Sequence, residues 1–338
     1  MENYDLDSLI SILQGKSKDN QRQAYSIWKH FPGQDLQVKD LVQAHIDFQN
    51  IVNADLIKIS PHSKFALVDF GVEFNPKEYN NQTGSYITKK YPVQTIKDWE
   101  RIDEFDPQTG ELGKQLDVIK QLAKEFPNTP KMMTIFLPVM IARKLVKDDK
   151  YLNHLKEDKK LVQDRLQAIV KVIKNFSEIC LETGSEGLFL ATQETEKNKS
   201  WSEKIWLEAA YPYDKAVIDA IKTKSEFQIL HLHGENIFFK AILKKFQVSG
   251  INFHAFPDFQ EFFTSPTITS VFNGGLLGGL EDSYFDVPDN QFSDTEVIEQ
   301  LIHKIRSIKK RTILSPNCVL PQKTSSERLN AIITKIRS

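Results

Sequence analysis

Short apolar runs bounded by Gly, Pro, Asn or Ser recur along the chain at strand length: Asp55–Ser60, Lys131–Leu137, Gly187–Gln193, Phe227–His233, Gly250–His254, Thr267–Asn273 and Arg311–Ser315. Branched and aromatic side chains dominate them, which predicts β-strands. Amphipathic stretches lie between. Asp158–Thr183 sets Leu161, Leu166, Val170, Ile173 and Phe176 at helical spacing, and Asp294–Lys310 reads as another helix. Strands alternating with helices predict a parallel sheet. About eight such units favour a closed (β/α)8 TIM barrel over an open doubly wound sheet. The chain therefore divides into a helical lead-in over 1–50 and a single α/β barrel over 51–338. No glycine-rich dinucleotide or phosphate-loop motif follows any strand, which weakens the open sheet further. Arg143–Asp164 mixes both charge signs and reads as a solvated helix face.

Composition narrows the class. With 44 Lys and Arg against 45 Asp and Glu, the net charge of -1 gives no bulk field toward nucleic acid or anionic lipid. Hydrophobic residues make up 40% and charged ones 26%, enough for a core without disulfides. Cys180 and Cys318 are too sparse for a secreted disulfide framework and fit a reducing compartment. The first residues lack a basic leader, and the longest apolar run, near Ile135–Ala142, falls far short of a membrane span. The expectation is a cytoplasmic protein that meets a small-molecule substrate, with no nucleic acid and no membrane.

In a barrel, polar residues at the strand C-termini converge on one mouth. Along Gln228–Glu235 the alternation of side chains puts His231 and His233 on one face and Leu230 and Leu232 on the other. Two imidazoles about 7 Å apart along a strand suit one metal ion, or serve simply as hydrogen-bonded barrel residues. Ser315 and Pro316 end the last strand, so Cys318 is expected at the mouth, whereas Cys180 sits on the apolar face of a helix and reads as packing. His231, His233 and Cys318 together form a candidate Zn²⁺ site with an open fourth position. Such an ion activates a bound water or holds a substrate thiol as thiolate. Asn252 and His254 share the inward face of their strand, with His254 a candidate for orienting substrate. Asn273, followed by two glycines, is expected at another strand tip, and Gln193 at a third.

Six pieces in order, Ser26–Pro32, Asp55–Pro61, Phe189–Gln193, Tyr211–Lys215, His231–Gly234 and Cys318–Pro321, resemble the uroporphyrinogen decarboxylase superfamily. The resemblance implies one (β/α)8 barrel with its cleft at the strand C-termini, and a homodimer. True decarboxylases of that superfamily carry an Arg-rich N-terminal segment, an Asp ending the first strand and a His in the last loop. Here Trp28, Lys29 and His30, then Ser60, then Asn317 stand at those places. Lys29 and His30 would leave most charges of an octacarboxylate unpaired, which argues against porphyrinogen decarboxylation. The zinc-dependent branch that passes a methyl group from a corrinoid to a thiol such as coenzyme M is closer, with its His-x-Cys and final-loop Cys matched at His231 and Cys318. His233 replaces the strand Cys, removing one negative charge from the metal site.

The first expectation is thus a zinc-dependent methyltransferase with His231, His233 and Cys318 as ligands. His231, His254 and Asn273 are its candidate catalytic residues. Lys29, His30, Ser60, Gln193, Asn252 and Asn317 are candidates for substrate contact. A methyl-corrinoid would arrive on a partner protein. A metal-independent decarboxylase or lyase using His231 or His254 as general acid, and a binding barrel without catalysis, remain the alternatives.

Overall fold

The computed structural model describes residues 3–16, 22–198, 200–253, 264–281, 284–285, 302–303 and 311–337. Seven parallel strands form one sheet in the order β1 (Ile57–Ile59), β4 (Lys131–Phe136), β5 (Gly187–Thr192), β6 (Gln228–Leu232), β7 (Gly250–Phe253), β8 (Gly275–Leu280) and β9 (Thr312–Pro316). β2 (Glu73–Tyr79) and β3 (Tyr86–Lys90) pair antiparallel as a separate, largely exposed hairpin. Among the described residues the sheet has one strand fewer than a complete eight-strand barrel. The place between β9 and β1 is taken by a single parallel bridge from Tyr25 to Leu314. Leu314 N–H donates to Ala24 O at 2.9 Å, Ser26 N–H to Leu314 O at 2.8 Å, and Asp55 N–H to Tyr25 O at 3.0 Å.

Alternation along each strand sorts the core into two layers. Leu56, Met132, Phe189, Ile229, Leu277 and Ile313 face the lumen and pack with Leu9, Ile12 and Leu13 of the helix Leu6–Leu13. Ile57, Ile59, Met133, Leu188, Leu190, Leu230 and Leu314 face outward into the larger cluster under the helices. Both faces are therefore buried, which is why these strands read as nearly continuous apolar runs. The helix Lys159–Thr183 begins at Asp158, whose side chain accepts from Leu161 N–H, and buries Leu166, Val170, Ile173, Phe176 and Cys180. No described helix is long and apolar enough to cross a membrane.

One strand falls elsewhere than its apolar pattern predicts. Thr267–Asn273 overlaps a helical turn, Pro266–Thr269, with Pro at its first position, and the strand starts afterwards at Gly275. Gly275, Gly278 and Gly279 lower the strand propensity of that segment, yet a Cβ at Gly275 would lie 2.6 Å from Arg311 O. Close packing at the start of the strand, against Arg311 and Leu13, selects the glycine. Asn273 consequently precedes the strand and lies at the end of the sheet opposite the mouth, its carbonyl accepting from Arg311 Nη1 at 2.9 Å. Its expected catalytic place is corrected accordingly. Asp294–Lys310, apart from 302–303, and His254 lie outside the described residues.

Candidate functional site

Because every strand of the sheet points the same way, inward side chains near their C-termini meet in one cavity of about 230 Å³. β1 contributes Lys58 and Ser60, β4 Thr134 and Phe136, β5 Phe189, and β6 His231. His233, Gln193 and the loop after β9, through Cys318 and Val319, complete that rim with Trp28 and His30. The loop is fastened by Trp28, whose Nε1–H donates to Cys318 O at 2.5 Å while Leu320 N–H donates to Trp28 O at 3.2 Å.

The protonation pattern of His231 follows from its neighbours. Asn252, fully buried, donates through Nδ2 to Leu277 O at 2.8 Å and to Pro316 O at 3.1 Å. Its Oδ1 therefore faces His231 Nδ1 at 2.5 Å as an acceptor, so Nδ1 carries a proton and the ring is held in one orientation. His231 also stacks on Phe189 with centroids 5.2 Å apart. His233 follows on the same face, its centroid 6.2 Å from that of His231 and its plane turned by 76°.

His231, His233 and Cys318 line the same cavity, as the alternation of strand residues predicts. Among the described residues no group of three or more His, Cys, Asp or Glu forms a ready-made metal cluster. Lys58 lines the same cavity. Its Nζ lies 4.7 Å from the Phe189 centroid and 5.4 Å from that of Trp28, and donates to Ser60 Oγ at 3.2 Å. Two ring faces return about 0.5–2 kcal/mol to an ammonium, against a desolvation cost of several kcal/mol. Burial wins, and the Lys58 amine is held down at about 7, with Cys318 partly opposing the shift. The same burial, together with Lys58, keeps His30 at about 4 and His45 at about 3.

The remaining expected contacts separate. His30, Ser60 and Gln193 line the cavity. Asn252 stands behind His231 and orients it. Asn317 is buried beneath the rim, with Oδ1 accepting from Gly279 N–H at 3.4 Å. Lys29 faces a different, much smaller pocket of about 10 Å³. Sequence reasoning misses the cations that do line the mouth, Lys58, Lys64 and Lys144, and the described lining contains no Asp or Glu. Lys64 is lowered to about 8, first by burial and then by Lys144. The reading of Arg143–Asp164 as a solvated face is corrected at its start. Lys144 lines the cavity, and Arg143 Nη1 pairs with the buried Glu194 at 2.7 Å. The signal for Lys58 was its parity with Ser60 inside an otherwise apolar strand.

Residues 36–338 match the family uroporphyrinogen decarboxylase (URO-D). No curated protein matches the sequence. Among solved structures, a methyltransferase from Methanosarcina mazei is similar at 15% identity, with a TM-score of 0.77 over 97% of each chain. A B12-independent methionine synthase from Shewanella sp. W3-18-1, in complex with selenomethionine, is similar at 10% identity and a TM-score of 0.54, over 93% of this chain and 95% of that one. At these identities the likeness is one of fold.

Proposed function

The chain belongs to the uroporphyrinogen decarboxylase family, and from that premise we propose that the cavity is the active site of a methyltransferase-type enzyme acting on a small thiol. The observation that carries this reading is the orientation of His231, which lines the cavity while its Nδ1–H is held by the buried Asn252. His231 Nε2 takes the proton of the bound thiol. The sulfur then bonds to the methyl carbon of the donor as the carbon's bond to its carrier breaks, and the bonding pair leaves with the carrier. The proposed donor is a methyl-corrinoid brought by a partner protein to the open mouth. His231, His233 and Cys318, which line the same cavity, are the residues that would hold a zinc ion, and the proton transfer uses His231 alone.

The test is methylation of a panel of small thiols with methylcobalamin as donor, read by mass spectrometry. Replacing a general base costs about 10²–10⁴-fold, so His231→Gln should lower kcat/KM by that range. Asn252→Leu, which releases the ring, should cost about 10–100-fold, the usual effect of removing an orienting partner. Wild-type protein that methylates none of the thiols, or full activity in His231→Gln, overturns the reading. Lys58, Lys64 and Lys144 around a cavity without described carboxylates favour one second reading, decarboxylation of a small acidic substrate. Release of carbon dioxide without thiol methylation would establish it instead.

A further inference from the structure

The methyl transfer proposed above uses His231 and leaves Lys58 without a chemical task. The inward positions of β1 are Leu56, Lys58 and Ser60, so Lys58 is carried into the lumen by strand register and is buried there. Its amine has a hydroxyl at 3.2 Å and two aromatic faces beside it, in a cavity whose described lining offers no carboxylate. A buried ammonium without a countercharge is disfavoured, whereas a neutral amine in the same place keeps its lone pair for bonding. Lys64 and Lys144 line the same cavity and supply positive charge toward solvent-borne anions.

We propose that Lys58 is a nucleophilic amine that forms a reversible imine with a small carbonyl compound bearing an anionic group, such as a 2-oxo acid or an acidic aldehyde. The Nζ lone pair bonds to the carbonyl carbon and the C=O π pair moves to oxygen. The proton lost by nitrogen passes to that oxygen, for which Ser60 Oγ is within reach of Nζ. Departure of one water leaves the C=N bond, with no change of oxidation state. Lys64 and Lys144 hold the anionic group. Burial places Lys58 at about 7 and Lys64 at about 8, so near neutrality the first is substantially unprotonated while the second remains mostly charged.

Reductive trapping tests this. The full chain is treated at pH 7 with glyoxylate and sodium cyanoborohydride, and the carboxymethyl adducts are located by peptide mass spectrometry. An ordinary lysine, near 10.4, is almost wholly protonated under these conditions, so Lys58 should react at least about tenfold faster than exposed lysines. Lys58→Met and Lys58→Arg should both lose that fast adduct, the second while keeping the charge. Lys64→Met, which leaves β1 untouched, should slow trapping of glyoxylate but not of the uncharged glycolaldehyde. Adducts spread over surface lysines without preference for Lys58, or a fast adduct that persists in Lys58→Met, would overturn the proposal. Loss of thiol methylation would not bear on it, since neither probe is a thiol or a methyl donor.

Discussion

His45 supports the end of β1 from behind, its Nε2 accepting from Ser60 N–H at 3.2 Å, a bond only the unprotonated nitrogen makes. Burial, then the nearby Lys58, depresses its pKa from 6.5 to about 3. A depressed pKa means that the stability is present above the unfolded value and is lost as pH falls from about 6.5 toward 3. His45→Gln removes this titration and keeps an acceptor, so its unfolding free energy, read by urea titration, should fall less than wild type's between pH 6 and 4, by on the order of 1–3 kcal/mol. Superimposable acid profiles would refute that role. Much of the site's residue content is legible beforehand for a simple reason. His231, His233 and Ser60 sit at strand ends where period-two alternation dictates direction. Lys58 is harder to read, since a lysine inside an apolar strand looks like an outward, solvated position until the strand's two buried faces are seen.

The element that best shows how packing fixes the backbone is β5. A Cβ on Gly187 would lie 2.5 Å from Phe227 O, the carbonyl that accepts from Leu188 N–H at 3.0 Å. Gly187→Ala should therefore cost about 1–3 kcal/mol, read as a lower denaturant midpoint with unchanged slope; an unaltered midpoint would show that Phe227 yields freely. Strands buried on both faces, such as β4, β5 and β6, declare themselves through uninterrupted apolar runs. The hairpin of β2 and β3 does not, because its residues are mostly exposed and polar, with Pro76 within β2. β8 is hidden by its glycines, and Asn273 was misplaced with it.

Across the whole molecule, Asp55 ties the start of the chain to the sheet. Fully buried, it pairs with Arg22 and accepts from Tyr4 N–H at 3.2 Å and Tyr25 N–H at 3.1 Å. Asp55→Asn removes the negative member of this pair, and breaking such a buried pair costs about 3–5 kcal/mol. Thermal unfolding and amide exchange should report the loss together, with Tyr25 and Leu314 deprotected in both; exchange unchanged at Leu314 would separate Asp55 from the seam. The sequence conveys the alternation of strands and helices because each βα unit carries its own periodicity, while the described residues show seven sheet strands where it predicts about eight units. It conveys the cavity's charge poorly. A net charge of -1 averages over the surface, while Lys58, Lys64 and Lys144 come together only after folding. That seam also orders events in time. Gln23 Nε2 bonds Thr312 O across 289 positions of chain, so this contact between the early segment and β9 can form only after Thr312 has been synthesised. Until then the edge of β1 beside Tyr25 waits for its partner across the seam.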